Sequence, residues 1–390
     1  MYPDWPRSKA DLVPLPLCDG PKLKAFDFKG KQQIEFLEYL GEGLHAHVFK
    51  VRIRRKIYAL KLFRFLYEKT WLEHTEDTDL KDRSLMSAFY NYSEPFSCEC
   101  RAFGRLQEEG YEDLAVECFG YVLLDENHER VLHDQFPDEL FNGDAENPHG
   151  DDVDEAKNMR ARFLGRDGRK PPIRGIVKEF CPQTEPENLD RATAEKVLGD
   201  IGRLQQLGII SLDIAARQLV GGKLCDLSKA ITVPHFVTTP ELNPYLTRSM
   251  CESLERETFG LAIDDYLAFD DMVYEWNEVF ADEKGTIQLY AFPNGNGCPT
   301  LRSYELRDMA RRQRVYTFVD PRRFNWKKTR KRRGDSRRRL RAKPPLWIYC
   351  CGGRNGWLAN QMGCADVIGP TLQWNYKNGF IFPVPQQPIF

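Results

Sequence analysis

Two carboxylates thirteen residues apart carry the first chemical signal. In IISLDIAARQLVGGKLCDLSKA (209–230), Asp213 lies just before one apolar run and Asp226 at the exit of the next, with Gly221-Gly222 between the runs. A Gly-Gly pair so flanked predicts a tight hairpin, because both central residues of a primed turn need positive φ. A hairpin keeps its ends near each other, so the two acids can face one site. With the polar Gln218 between them, the pattern suits metal-assisted phosphoryl transfer, one acid beside an attacking hydroxyl and the other on Mg²⁺.

A second candidate is GEGLHAHVFKVRIRRKIYALK (41–61), with Gly41, Gly43, Val48 and Lys61. A Gly-x-Gly bend allows a phosphate close to the backbone, although the glycines alone fit an ordinary hairpin as well. Lys61 follows Tyr58, Ala59 and Leu60 on an apolar run, where an ammonium needs a buried partner. His45 and His47 lack a third ligand nearby and are expected to be exposed loop residues.

Several elements must position these groups. Near-period-two alternation predicts strands across 34–66, with Arg54, Arg55 and Lys56 linking the last two. Phe96, Cys100, Phe103 and Leu106 share one face of a helix stopped by Gly110. Apolar runs follow at 114–124 and 173–181, separated by a polar insert at 125–170 that is expected to be a long mobile loop. A helix at 193–208 leads into the acidic hairpin, further helices cover 240–283, and the aromatic tail 346–385 is strand-like. The Pro-rich residues 1–30 are expected to be an irregular lead-in.

The 390 residues are 42% hydrophobic and 12% aromatic, in the range of folded soluble proteins. No apolar run approaches the roughly 18–20 residues that span a bilayer, so no membrane association is expected. The N-terminus carries prolines and charges where a signal peptide needs an apolar core. Eleven scattered cysteines fit a reducing compartment. These features predict a nuclear location, otherwise a cytoplasmic one.

The net charge of −2 hides a strong asymmetry. Residues 301–345 hold 18 Lys and Arg against four acids, leaving 38 basic and 54 acidic residues elsewhere. This is a basic arm on an acidic body, and 302–343 is a candidate contact for nucleic acid or an acidic partner.

Taken in order, the motifs resemble those of the protein-kinase superfamily over roughly 34–283. The glycine loop is Gly41-Glu-Gly43-Leu-His-Ala46-His-Val48, and the strand lysine is Lys61. The helix glutamate that pairs with it is Glu99, and the linker is Lys178-Glu179-Phe180-Cys181. The catalytic loop is Ser211-Leu212-Asp213, and the metal-binding triplet is Asp226-Leu227-Ser228. The resemblance implies an α+β, bilobal protein-kinase-like fold with a basic C-terminal extension. Its domains would be a lead-in (1–30), an N-lobe including the insert (31–180), a C-lobe (181–300), the basic arm (301–345) and a tail packing on the body (346–390). It further implies ATP and Mg²⁺ as cofactors. Gly41, Gly43, Val48, Lys61, Glu179 and Cys181 would hold the nucleotide, and Asp226 and Gln218 the metal. Asp213, Lys61 and Glu99 would be catalytic.

Three departures matter. Ser211 and Leu212 stand where that superfamily has His and Arg, and Gln218 stands in place of Asn. An amide one methylene further out reaches Mg²⁺ only if the loop shifts, and a shift of about 1 Å costs about a hundredfold in rate.

Within the superfamily, ECRAFGRL (99–106), GGKLCDLSKAITVPHF (221–236) and RRQRVYTFVDPRRFNWKK (311–328) resemble a fungal family named for a Sim4-type kinetochore complex subunit. That resemblance implies protein partners in a kinetochore complex and a role in chromosome segregation. The leading expectation is a degenerate kinase or pseudokinase scaffold. The alternatives are an active phosphotransferase acting on protein or small molecules, and a nucleic-acid binder working through the basic arm.

Overall fold

The computed structural model describes residues 1–67, 71, 82–137, 158–181, 186–291, 307–308, 313–316, 319–328, 337, 339–341, 347–350 and 372–385. The chain is α+β and divides into two compact units. One comprises 1–107, 116–181 and 374–382, the other 108–115, 182–373 and 383–390.

The first unit is built on a five-stranded antiparallel sheet. Its strands are β1 (Glu35–Glu42), β2 (Ala46–Ile53), β3 (Lys56–Phe63), β4 (Cys118–Leu123) and β5 (Arg174–Glu179), in spatial order β1-β2-β3-β5-β4. Phe49, Val51 and Ile53 of β2 are buried, as the alternation predicts. β2 and β3 are joined by a two-residue turn in which Arg54 and Arg55 both adopt positive φ, the twist a tight hairpin requires. β5 lies between two strands and has no solvent-facing alternation, its first five residues being buried.

Among the described residues this unit also holds α1 (Arg83–Ser93), α2 (Pro95–Glu109), α3 (Glu126–Gln135) and α4 (Met159–Arg162). α2 is the helix expected from its apolar face, and Gly110 follows it at φ +72°. The insert expected as one long loop is partly helical. Asp125 caps α3 by accepting from the His128 amide at 2.9 Å, and Leu132 is buried. Arg160 of α4 holds both carboxylate oxygens of Glu129 at 2.8 and 2.7 Å, tying α4 to α3. Residues 138–157 of the insert lie outside the described residues.

Residues 1–26 are irregular in secondary structure, as expected, and form a docked strap. The Phe26 amide donates to the Tyr121 carbonyl at 2.8 Å, and the Tyr121 amide donates to the Lys24 carbonyl at 3.0 Å. The strap therefore adds backbone pairing along the edge strand β4. Close approach depends on two glycines. A Cβ at Gly104 would meet Lys22 backbone atoms at 2.6–2.8 Å, and one at Gly120 would meet the Lys24 carbonyl at 2.7 Å. Buried Arg101 of α2 donates to the Asp19 carbonyl at 2.8 Å. The polar character of the strap is thus spent on α2 and on the edge of the sheet.

The second unit contains α5 (Arg191–Gln206) and four two-residue strands: β6 (Ile209–Ile210), β7 (Leu219–Val220), β8 (Lys223–Leu224) and β9 (Ile231–Thr232). The 37-residue α6 (Arg248–Lys284) packs its buried face, including Phe259, Ile263, Phe269 and Val273, within this unit. β6 pairs with β9 and β7 with β8, all antiparallel. Gly221 (φ +57°) and Gly222 (φ +70°) form the turn of the β7–β8 hairpin, the conformation expected of the pair. Strands β10 (Arg307–Asp308), β11 (Gln313–Tyr316) and β12 (Trp347–Cys350) make a three-stranded sheet. A hairpin of β13 (Leu372–Lys377) and β14 (Phe380–Pro385) lies near the end of the chain. Most of the basic run 327–341 lies outside the described residues. Among the described residues no helix is long and apolar enough to cross a membrane.

Candidate functional site

In the first unit the structure brings Lys61 and Glu99 together. Lys61 of β3 is 6% exposed and Glu99 of α2 is fully buried, with Nζ 2.9 Å from Oε2. Val48 lies opposite Lys61 in the β2–β3 register. Gly41 follows a bulge in β1 and takes φ +129°, and the Gly43 amide closes the turn on the Ala46 carbonyl at 2.9 Å. A Cβ at either glycine would meet nothing within 4 Å, so open space lies over the bend. Glu179 ends β5 and donates its amide to the Glu117 carbonyl at 2.8 Å, while Cys181 is half-buried.

The sequence reading did not single out the chemistry of Lys178. This β5 residue is 5% exposed and forms an ion pair with the other oxygen of Glu99. It lies opposite Ala59, with Lys61 two residues further along β3, so both lysines project from the same face of the sheet. One buried carboxylate thus serves two ammonium groups. A lysine inside the apolar run IRGIVKEFC was the available signal, since a lysine is almost never buried unless paired.

α2 is held in place by a second buried pair. Arg174 of β5 has no exposed surface and donates to Glu94 Oε1 at 2.8 Å and to the Arg64 carbonyl at 2.9 Å. Its guanidinium lies 4.4–4.6 Å from the rings of Phe65 and Tyr2. Glu94 uses its other oxygen to accept from the Phe96 and Ser97 amides at 3.0 and 3.2 Å, capping α2. Burial pushes the Glu94 carboxyl above its usual range, and Arg174 opposes that shift.

In the second unit the loop carrying Asp213 is anchored from α6. Asp265, with no exposed surface, accepts from the Ser211 amide at 3.0 Å and the Leu212 amide at 2.7 Å. Gln205 of α5 approaches the same carboxylate at 3.4 Å and accepts from the Tyr266 hydroxyl at 3.0 Å. Burial raises the Asp265 carboxyl to about 7, against the lowering effect of these donors. Leu212 takes φ +59°, a region that branched residues rarely occupy, and the two amide bonds to Asp265 hold it there. Asp265 was missed by the sequence reading. An aspartate pair in the otherwise apolar FGLAIDDYLAF was the signal, because a carboxylate on a buried helix face requires donors.

Asp213 and Gln218 are also brought together. Asp213 accepts from Gln218 Nε2 at 2.7 Å and from the Arg217 guanidinium at 2.6 Å, one bond to each oxygen. The Gln218 carbonyl oxygen faces the Cys225 thiol at 3.9 Å. Asp226 follows β8 by two residues and accepts from the Ser228 amide at 2.8 Å, fixing a local turn.

The two histidines are not exposed as expected. His47 is 1% and His45 8% exposed, and His47 lies between the Tyr39 hydroxyl at 3.2 Å and Arg64 Nε at 2.9 Å. β2 turns His47 inward because it shares a face with the buried Phe49, Val51 and Ile53. Among the described residues no three His, Cys, Asp or Glu side chains gather into a metal site. A cavity of about 130 Å³ in the first unit is lined by Asp4, Arg7, Arg166 and Asp167, among others, and includes none of the expected site residues. Of its arginines, Arg7 is matched by Asp167, Arg166 by Asp4 and Arg169 by Glu126.

No curated protein matches the chain. A family model described as "Kinetochore Sim4 complex subunit FTA2" matches residues 12–231, more than half of the chain, and the protein belongs to that family.

Proposed function

We propose that this protein is a kinase-like subunit of a kinetochore complex that works by binding other proteins and has lost efficient phosphoryl transfer. Family membership supports the kinetochore-related role, protein partners in a complex and a nuclear, chromosome-associated location. The observation that carries the non-catalytic reading is the state of Asp213. Both of its oxygens already accept hydrogen bonds from the loop's own Arg217 and Gln218. A substrate hydroxyl would have to share an oxygen with one of these donors, on the lone pair left over, and general-base catalysis depends on that contact.

Nucleotide binding is the better supported half of the kinase likeness. Lys61 is buried beside Glu99 under the open Gly41–Gly43 bend, an arrangement suited to phosphate oxygens. Asp226 and Gln218 supply too few ligands for a resident ion. Within the second unit they would hold Mg²⁺ through one or two protein ligands, its remaining positions left to phosphate and water. Mg²⁺ would supply charge neutralisation there.

Two measurements test the reading. Titration with MgATP raises the melting temperature of the wild type, and Lys61→Ala abolishes the rise. Radiolabelled ATP gives no transfer above the level of Asp213→Asn. Transfer that is lost in Asp213→Asn establishes an active phosphotransferase and overturns the scaffold reading. Failure of a fluorescently tagged chain to concentrate at centromeres overturns the kinetochore role.

A further inference from the structure

The turn from β2 to β3 is made by residues that suit its shape poorly. The two strands pair without a bulge from Ala46 and Phe63 to Ile53 and Lys56, which leaves only Arg54 and Arg55 to reverse the chain. Arg54 takes φ +50° and Arg55 φ +69°. In that left-handed region a Cβ crowds the backbone, and Asn-Gly is the favoured pair for such a turn. Two arginines there do not serve the turn, so what they offer lies in their side chains.

The fold makes no use of those side chains. Arg54, Arg55 and the next residue, Lys56, are exposed. Among the described residues Arg52 is matched by Glu35 at 2.6 Å and Lys50 by Glu38 at 3.0 Å, whereas Arg54 and Arg55 make no ion pair or side-chain hydrogen bond. Lys56 lies over aromatic rings, its Nζ 4.6 Å from the Phe119 centroid and 5.1 Å from that of Tyr58. Tyr58 meets Phe119 at 5.1 Å and Phe26 at 5.7 Å, and Phe26 meets Phe28 at 4.9 Å. All four rings are half-buried. The first unit thus presents a strip of half-covered aromatic surface that ends in three cations.

We propose that this strip docks an acidic segment of a protein partner, one with an aromatic residue beside its carboxylates; the proposal rests on the protein-binding reading above. Each guanidinium can hold a carboxylate by two parallel hydrogen bonds. The bulge-free hairpin fixes where both arginines start, so less ordering is left for the partner to impose. A nucleic acid fits less well. The rings meet edge to face, at interplanar angles of 74–80°, and Lys56 lies over two of the faces that a base would use. Outside 301–345 the chain holds 38 basic and 54 acidic residues, a balance that repels a long polyanion more than a short acidic segment.

The test uses the full chain and a fluorescein-labelled peptide of repeated Glu-Glu-Phe, followed by anisotropy. Arg54→Asn with Arg55→Gly suits the turn, so the melting temperature holds or rises and a loss of binding is not a loss of fold. Removing two exposed arginine–carboxylate contacts should weaken the peptide about tenfold. Arg54→Gln with Arg55→Gln serves if the first double variant melts lower. A peptide of repeated Glu-Glu-Ala binds more weakly, and Phe28→Ala narrows the difference between the two peptides. Lys61→Ala leaves peptide binding unchanged. The proposal is overturned if the peptide does not bind, or if binding is undiminished in a folded double variant, which assigns the peptide to basic residues elsewhere. It is also overturned if oligothymidylate binds more tightly than the peptide and loses that affinity in the same variant, which assigns the strip to nucleic acid. Binding lost in the double variant of a chain that does not concentrate at centromeres breaks the kinetochore role and leaves the strip standing. Undiminished binding in a chain that does concentrate there breaks the strip alone.

Discussion

Glu99→Gln should be far more damaging than loss of either lysine that Glu99 serves. Glu99 is fully buried, with Lys61 on one oxygen at 2.9 Å and Lys178 on the other. At an effective dielectric of about 20, a pair of unit charges 2.9 Å apart has a gross Coulomb term of about 6 kcal/mol. Much of that offsets desolvation, so removing one partner of an ordinary buried pair costs about 3–5 kcal/mol. Glu99→Gln strands two ammonium groups in place of one and should therefore cost about 5 kcal/mol or more. That approaches the whole stability of a typical domain. Lys61→Met and Lys178→Met each leave Glu99 paired with the other lysine, and each should cost about 1.5–3 kcal/mol, the scale of one charge-assisted contact. The triple variant Glu99→Leu, Lys61→Met, Lys178→Met should recover most of the Glu99→Gln loss, since well-packed apolar residues can replace a buried ionic cluster. Urea denaturation followed by far-UV circular dichroism gives the ranking. If Glu99→Gln proves no worse than either lysine variant, the shared-carboxylate argument is wrong.

Three further outcomes follow from particular contacts. Gly104→Ala would stabilise an ordinary helix by about 1 kcal/mol. Here the new Cβ meets Lys22 backbone at 2.6–2.8 Å, so it should lower stability and speed trypsin cleavage after Lys22 and Lys24, while Gly43→Ala, with open space, should do neither. Asp265 has a folded value of about 7 against the usual 3.8, so the folded state holds the extra proton and stability falls as pH rises between those values. That decline amounts to about 4 kcal/mol. Asp265→Asn should lack it, and parallel stability–pH curves for the two proteins from pH 4 to 8 would refute the assignment. Arg174→Met should cost about 3–5 kcal/mol at neutral pH by leaving Glu94 charged and buried. Since burial already raises the Glu94 carboxyl, the deficit should shrink as pH falls and Glu94 takes a proton. Adding Glu94→Gln should recover part of it, and a double-mutant cycle showing no coupling would contradict the pairing.

Local pattern was enough for elements whose signal lies in a few adjacent residues. The alternation in VFKVRI, the apolar face of α2 with Gly110 after it, and the Gly221-Gly222 turn each follow from backbone sterics and side-chain period. The position of Lys61 on an apolar strand also signalled a buried partner, because an unpaired ammonium is too costly in a core. The insert was harder to read, since α3 has only His128 and Leu132 buried among polar residues.

What local pattern could not reach were interactions made across long separations. Lys178 joins Glu99 from 79 residues away, Asp265 anchors Ser211 from 54 residues away, and Tyr121 hydroxyl donates to the Val13 carbonyl across 108. In each case the partner lies too far along the chain to be named from local pattern, and the bond becomes obligatory only when packing removes water from around it. The side-chain direction of Gln218 belongs to the same class, since an amide can donate or accept and only its neighbours choose. The sequence alone therefore determined which residue types were available for chemistry and which short elements would carry them. Tertiary packing decided which of those polar groups are held, by whom, and which oxygens of Asp213 are already engaged, because hydrogen bonds are compulsory only where water is excluded.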